Sequence, residues 1–460
     1  MYHHMFAGQK VLVVGLARSG LAAAQSLYKL GARVIGYDQK RIEELDPAVK
    51  ELEQLNIPVV NQLEPDIINE SLDLIVVSPG VPLSLPVFDW ARQQGLPVIG
   101  ELELAYRLKK PQVDLLAVTG TNGKTTTTAL LRYILEKNGY AAYYGGNIGL
   151  PLTSLLEKLT EGVVVVEVSS FQLETVDQFH PGICGLLNIT PDHLDRHKTM
   201  QAYVEAKSRI FKQQQPGDYA VFNFDDDYLR QLAEKCPADV VFFSTQQSLP
   251  EGFFIDGNII VYRHKGVDIQ ICPAGDIRLR GQHNLENVLC AVAMSYLYGA
   301  RPAMISDALK TFTGVRHRME EVIYHQGVLY VNDSKATNPE SAIKALQSFD
   351  QPIILIAGGR NKGSDFAEFA RVIAEKVREL IILGEARSEI KDAVMKTSFR
   401  NIHEVNDLTE AVRLASQLAV AGDVVLLSPA CASWDQFPSY ENRGDLFCEL
   451  ARSLSQPSLD

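Results

Sequence analysis

The sequence has no C-x-x-C pair, no basic tail and no apolar run long enough to cross a bilayer. Its six cysteines, Cys184, Cys236, Cys272, Cys290, Cys431 and Cys448, are scattered. That spacing speaks against a zinc site or a disulfide framework and fits a reduced, cytoplasmic chain. The longest apolar runs, such as GVVVVEV and PIILIAGG, fall far short of the roughly 20 residues of a membrane helix. The opening MYHHMFAGQK lacks an apolar signal core, so neither export nor membrane insertion is expected. Positive charge is the scarcer sign, with 44 Lys and Arg against 56 Asp and Glu, a net charge of −12. A nucleic-acid partner is therefore not expected.

What is present is a soluble globular composition, 46% hydrophobic and 22% charged, over 460 residues. That length is too great for one core and suggests roughly three domains. Strand, turn and helix patterns recur along the chain, and they group into three α/β units.

The most informative stretch is LLAVTGTNGKTTTTALL, residues 115–131. It resembles a phosphate-binding P-loop without its usual first glycine, the nearest being Gly120. The apolar run Leu115–Val118 reads as a buried strand, and the residues from Lys124 onward read as an amphipathic helix. Between them, Gly120 and Gly123 let the backbone approach a phosphate, with Thr121 and Asn122 in the same turn. Lys124 adds a mobile cation, and Thr125, followed by Thr126, can ligate the accompanying Mg²⁺.

Earlier, KVLVVGLARSGLAAAQSLYKLGARVIGYD runs as strand, turn, helix and strand, ending at Asp38. Ala17 takes the place of the middle glycine of a dinucleotide fingerprint, which weakens a dehydrogenase reading. Asp38 remains placed to accept hydrogen bonds from a sugar or base, and LDLIVVSPGVP brings Gly80 to another strand tip. A nucleotide site and a purely structural Rossmann-like domain both remain open here.

After the phosphate loop, GVVVVEVSSFQLE ends a strand in Glu167, a carboxylate able to hold Mg²⁺. NITPDHLDRH then crowds Asp192, His193, Asp195, Arg196 and His197 into a turn. In the following helix Tyr203, Lys207 and Ile210 share a face, so Lys207 is expected beside apolar side chains, where a lysine can also simply snorkel. Asn284 and Asn287 open a later helix, where paired amides can read an adenine edge or cap the helix. Towards the C-terminus four strands finish in polar, Gly- or Ser-rich turns that carry Lys335, Thr337, Lys362, Ser433 and Tyr440. Together these suit a carboxylate ligand.

In order along the chain, TGTNGKTTT, EVSSFQLE, NITPDHLDRH with EAKSRI, GQHNLEN, HRMEEV, NDSKATNPES, GGRNKGSDF and SPACASWDQFPSYENRG resemble the Mur ligase family of peptidoglycan synthesis. The third-domain motifs resemble those of members that add D-glutamate to UDP-N-acetylmuramoyl-L-alanine; another Mur ligase or a folylpolyglutamate synthase-like amide ligase is the alternative. The resemblance implies an α/β fold of three domains. These are a Rossmann-like N-terminal domain over 1–100, a central P-loop-type ATPase domain over 101–314 and a Rossmann-like C-terminal domain over 315–460.

It further implies a cytoplasmic, monomeric, ATP-dependent amide ligase with two Mg²⁺ sites and domains that close around the substrates. Lys124, Glu167, His193, Lys207 and Lys335 would be catalytic, with Lys207 carbamylated by CO₂. Thr125, Glu167, His193 and the Lys207 carbamate would hold the metal ions. Residues 120–126, Asn284, Asn287, Arg318 and Asp333 would bind ATP. Arg18, Ser19, Asp38, Gly80, Asn147 and His193 would bind the UDP substrate, and Thr337, Lys362, Ser433 and Tyr440 would bind D-glutamate.

Overall fold

The computed structural model describes residues 6–45, 47–63, 72–279 and 282–455. The chain forms two compact units, Met1–Phe312 and Thr313–Asp460. The first unit contains two sheets and the second one, and each sheet is mostly parallel, as the repeated strand, turn and helix pattern requires. No helix among the described residues is long and apolar enough to cross a membrane.

The first sheet comprises β1 Lys10–Val14, β2 Arg33–Tyr37, β3 Val59–Val60, β4 Leu74–Val77 and β5 Val98–Gly100, in the order β3-β2-β1-β4-β5. All its pairings are parallel. β4 reads LIVV and is buried at every position, the pattern of a parallel strand covered on both faces.

The second sheet contains β6 Val113–Thr119, β7 Ala142–Gly146, β8 Gly162–Glu167, β9 Ile183–Leu186, β10 Tyr219–Asn223, β11 Asp239–Ser244, β12 Gly252–Asp256, β13 Ile259–His264 and β14 Val267–Pro273. Its order is β14-β13-β12-β11-β10-β9-β6-β8-β7, with β12 to β14 antiparallel. β6 lies between β8 and β9, so the chain leaves it first towards one side and then crosses to the other. The loop after β6 therefore opens at a topological switch point, where ligands of open α/β sheets bind. Helix Lys124–Lys137 closes one face, burying Leu130, Leu131, Ile134 and Leu135 in one core cluster. Each such side chain contributes about 1.5–3 kcal/mol relative to exposure.

The second unit has β15 Glu320–His325, β16 Val328–Asn332, β17 Ile353–Gly358, β18 Val377–Leu383, β19 Ile402–Glu404 and β20 Val424–Leu427. The order is β15-β16-β20-β17-β18-β19. Because β20 returns to lie between β16 and β17, the loops after these three strands meet at one end of the sheet.

Candidate active site

The phosphate loop is a tight cradle. Gly120 has φ +159° and Gly123 φ +83°, and a Cβ on Gly123 would come within 2.0 Å of Asn287 Oδ1. Only glycine fits between the loop and Asn287, whose Oδ1 also accepts from the Thr127 hydroxyl at 3.3 Å. Helix Lys124–Lys137 begins immediately after Gly123, so its first-turn N–H groups and dipole face whatever occupies the loop. Asn122 N–H donates to Asn188 Oδ1 at 2.8 Å, and the Thr121 and Tyr203 hydroxyls are 3.1 Å apart. Lys124 Nζ folds back onto the carbonyls of Gly120 and Thr121, at 2.8 and 2.7 Å. Thr125 and Thr126 are buried at the helix start.

Glu167, at the tip of β8, is 2% exposed. Its Oε1 accepts from Asn147 Nδ2 at 2.7 Å, whereas Oε2 is buried with no hydrogen-bond partner. A buried carboxylate oxygen left unpaired is costly, and a hard cation satisfies it, so these residues fit Mg²⁺. Among the described residues no three His, Cys, Asp or Glu side chains converge as a metal cage. A Mg²⁺ here would thus take most of its ligands from phosphate and water.

Lys207 is more deeply buried than a snorkelling lysine, at 1% exposure. Its Nζ lies 4.7 Å from the Tyr203 ring centroid and donates to the Gly120 carbonyl at 2.9 Å. Burial, and secondly the Lys124 ammonium, push its pKa well below the usual lysine value. His193 has φ 54°, sits 4.8 Å from the Phe171 ring, and its Nε2 is 3.5 Å from Asp192 Oδ2.

Still within the first unit, a cavity of about 370 Å³ runs between loops of the first and second sheets. Arg18, Ser19, Asp38, Gly80 and Asn147 all line it, and His193 does not. Pro79, beside Gly80 in the turn after β4, lines it too, as do Gly149 and Gln172, whose neutral character carried no signal in the sequence. Asp38 is less free than its strand-tip position implied. Its Oδ2 accepts from Leu16 N–H at 2.8 Å and its Oδ1 from Lys40 N–H at 3.1 Å, so its first task is to hold the turn after β1. Ser78 has a similar task, donating to the Gly15 carbonyl at 2.7 Å. Asn284 Oδ1 accepts from Asn287 Nδ2 at 3.2 Å.

In the second unit, Asp333 is buried, and burial pushes its pKa up to about 7 against the opposing Ser428 hydroxyl bond and Arg318 charge. Ser428 Oγ donates to its Oδ2 at 2.8 Å. Lys335 N–H donates to the His317 carbonyl at 2.9 Å, and Thr337 N–H to the Lys335 carbonyl at 2.9 Å. Ser433 Oγ is buried without a partner, the second orphaned oxygen that falls on a candidate residue. Lys362 is exposed, and the Tyr440 ring lies 6.3 Å from that of His317.

Sequence reasoning missed Arg443. This side chain is 3% exposed and donates to Ser334 Oγ and to the carbonyls of Ser334 and Cys431, at 3.0, 2.9 and 3.1 Å. It ties the loops after β16 and β20 together, and burial lowers its pKa to about 10.

A glycine cradle at a switch point, a buried carboxylate with one unpaired oxygen at the neighbouring strand tip and a lined cleft define an α/β protein suited to hold nucleotide phosphates and a metal. The Mur ligase MurD-like N-terminal domain matches residues 9–100, the Mur ligase middle domain 118–295, and the Mur ligase glutamate ligase domain 317–431. The UDP-N-acetylmuramoylalanine--D-glutamate ligase of Pelotomaculum thermopropionicum is 47% identical over 452 residues, covering 98% of this chain and 99% of that one. The protein of the same name from Clostridioides difficile is 44% identical, covering 97% and 99%. The chain belongs to the Mur ligase family, whose members are ATP-dependent, amide-bond-forming ligases that use Mg²⁺.

Solved structures agree on the fold. The UDP-N-acetylmuramate-alanine ligase MurC of Thermotoga maritima superposes with a TM-score of 0.56 at 20% identity, over 97% of this chain and all of that one. E. coli FolC in complex with DHPP and ADP gives 0.56 at 17% identity, over 77% and 92%.

Proposed function

We propose that this chain joins D-glutamate to UDP-N-acetylmuramoyl-L-alanine at the expense of ATP, in the cytoplasmic stage of peptidoglycan precursor synthesis, and that it works as a monomer. The observation that carries this is 47% identity to an enzyme of that name across 98% of the chain. A domain division at 1–100, 101–314 and 315–460 accompanies the reading. The L-alanyl carboxylate attacks the γ-phosphate, an acyl phosphate forms and ADP leaves. The unprotonated amine of D-glutamate then attacks the acyl carbon, phosphate leaves and an amide bond remains.

Such phosphoryl transfer needs positioning and charge neutralisation more than covalent help. Residues 120–126 cradle the phosphates and Lys124 leaves its two loop carbonyls to meet them, with Asn284 and Asn287 assigned to the nucleotide. Thr125 and the orphaned oxygen of Glu167 would hold Mg²⁺, which neutralises phosphate charge when bound. His193 and Lys207, the latter as a CO₂-derived carbamate, are assigned to a second Mg²⁺. Support for the carbamate is the burial of Lys207 and the depressed basicity of its amine, which supplies the neutral form that CO₂ requires.

The cavity residues Arg18, Ser19, Asp38, Gly80 and Asn147, with His193, take the UDP substrate. In the second unit, Arg318 and Asp333 are assigned to ATP, and Lys335 offsets charge on the transferring group. Thr337, Lys362, Ser433 and Tyr440 are assigned to D-glutamate. Phosphate release by the purified protein should require ATP, Mg²⁺, UDP-N-acetylmuramoyl-L-alanine and D-glutamate together. Equal turnover with L-glutamate, or release without the UDP substrate, overturns the reading.

A further inference from the structure

The loops that carry Lys362 and Ser433 are joined into one rim. Arg360 and Ala432 exchange both backbone hydrogen bonds, at 2.9 and 3.0 Å, and Gly358 N–H donates to the Pro429 carbonyl at 2.8 Å. On this rim the Lys362 ammonium lies over the indole face of Trp434, 5.9 Å from the ring centroid. Lys362 makes no ion pair among the described residues, and the neighbouring acids are engaged elsewhere. Arg360 takes Glu385 through two bonds of 2.8 Å, Asn361 Nδ2 donates to Glu389 at 2.6 Å, and Asp435 accepts from Glu385 N–H at 3.1 Å. The ammonium is thus held by a π face and by no anion. Ser433, next to Trp434 in sequence, has its Oγ buried and unpartnered, while Trp434 itself is 60% exposed.

An ion pair within the chain would have to break before Lys362 could meet a ligand carboxylate. A cation–π contact attracts the ammonium without neutralising it. It also narrows the rotamers of a long side chain before the ligand arrives, which reduces the ordering cost of binding. We infer that Trp434 is a positioning residue of the amino-acid site, its ring holding the Lys362 ammonium ready for a carboxylate of D-glutamate. The inference rests on the assignment of Lys362 and Ser433 to D-glutamate.

The test is steady-state kinetics of Trp434→Leu, Trp434→Phe, Lys362→Ala and the double variant Lys362→Ala/Trp434→Leu. Trp434→Leu should raise the KM for D-glutamate about two- to fivefold, the strength of an exposed cation–π contact. Its kcat and its KM values for ATP and the UDP substrate should stay near wild type. Trp434→Phe, which keeps a π face, should restore most of the affinity. In the Lys362→Ala background Trp434→Leu should add nothing. If Lys362→Ala raises the KM and Trp434→Leu does not, or if the two effects add, the positioning role is overturned while the amino-acid site stands. If Lys362→Ala leaves the KM unchanged, the assignment of Lys362 fails and the inference falls with it.

Discussion

Lys124 and Lys207 donate to the same oxygen, the carbonyl of Gly120, at 2.8 and 2.9 Å. Two ammonium groups on one acceptor repel each other, and burial of Lys207 adds to the cost of its charge. One of the two is therefore driven towards the neutral form, and it is the more deeply buried one.

For Lys207 the expected outcome is near-complete loss of turnover in Lys207→Ala, with partial recovery on adding short-chain carboxylates that refill the vacancy with oxygen. Mass analysis of the native protein at neutral pH should find one extra carboxyl group that acid removes. Full activity of the variant would return Lys207 to a structural role.

Lys124→Ala should abolish phosphate release yet melt close to wild type, because its ammonium donates to the Gly120 and Thr121 carbonyls of the loop and packs into none of the apolar core clusters. Parallel thermal melts and turnover assays separate the two effects. Near-normal turnover would remove Lys124 from the phosphate site.

Glu167→Gln tests the orphaned oxygen. The amide keeps an oxygen for the Asn147 bond but deletes the buried anion, so stability should hold. Turnover should fall about a hundredfold or more, the usual consequence of removing one preorganised electrostatic group. A Mg²⁺ titration of phosphate release should shift to higher concentration, and an unchanged titration would exclude Glu167 as a ligand.

Asp333 gives a pH signature. Its folded pKa of about 7 lies above the ordinary carboxyl value of 3.8, so the folded state binds the proton more tightly. The stability this contributes is fully present below the ordinary value and is lost as pH rises through about 7. Asp333→Asn, which mimics the protonated form and can still accept from Ser428, should melt higher than wild type at pH 8.5. The difference should shrink as pH falls towards 5. A difference independent of pH would show that Asp333 titrates normally.

The sequence by itself determined the local features. Glycine spacing at 120 and 123, apolar strands such as GVVVVE and LIVV, and polar turns after each strand follow from nearest-neighbour backbone and burial preferences, and they were legible without coordinates. Tertiary structure decided which polar groups at those turns are free. Asp38 and Glu167 look alike in sequence, each an acid at a strand tip. Yet Asp38 has both oxygens engaged by the backbone N–H groups of Leu16 and Lys40. Glu167 keeps one oxygen unpaired because Asn147 reaches only the other. In the second unit Ser433 is left without a partner while Arg443, inside the SPACASWDQFPSYENRG stretch but given no role by it, binds the loops behind it. The availability of a polar atom depends on partners brought close by the fold from distant parts of the chain, and spacing along the sequence does not encode that proximity.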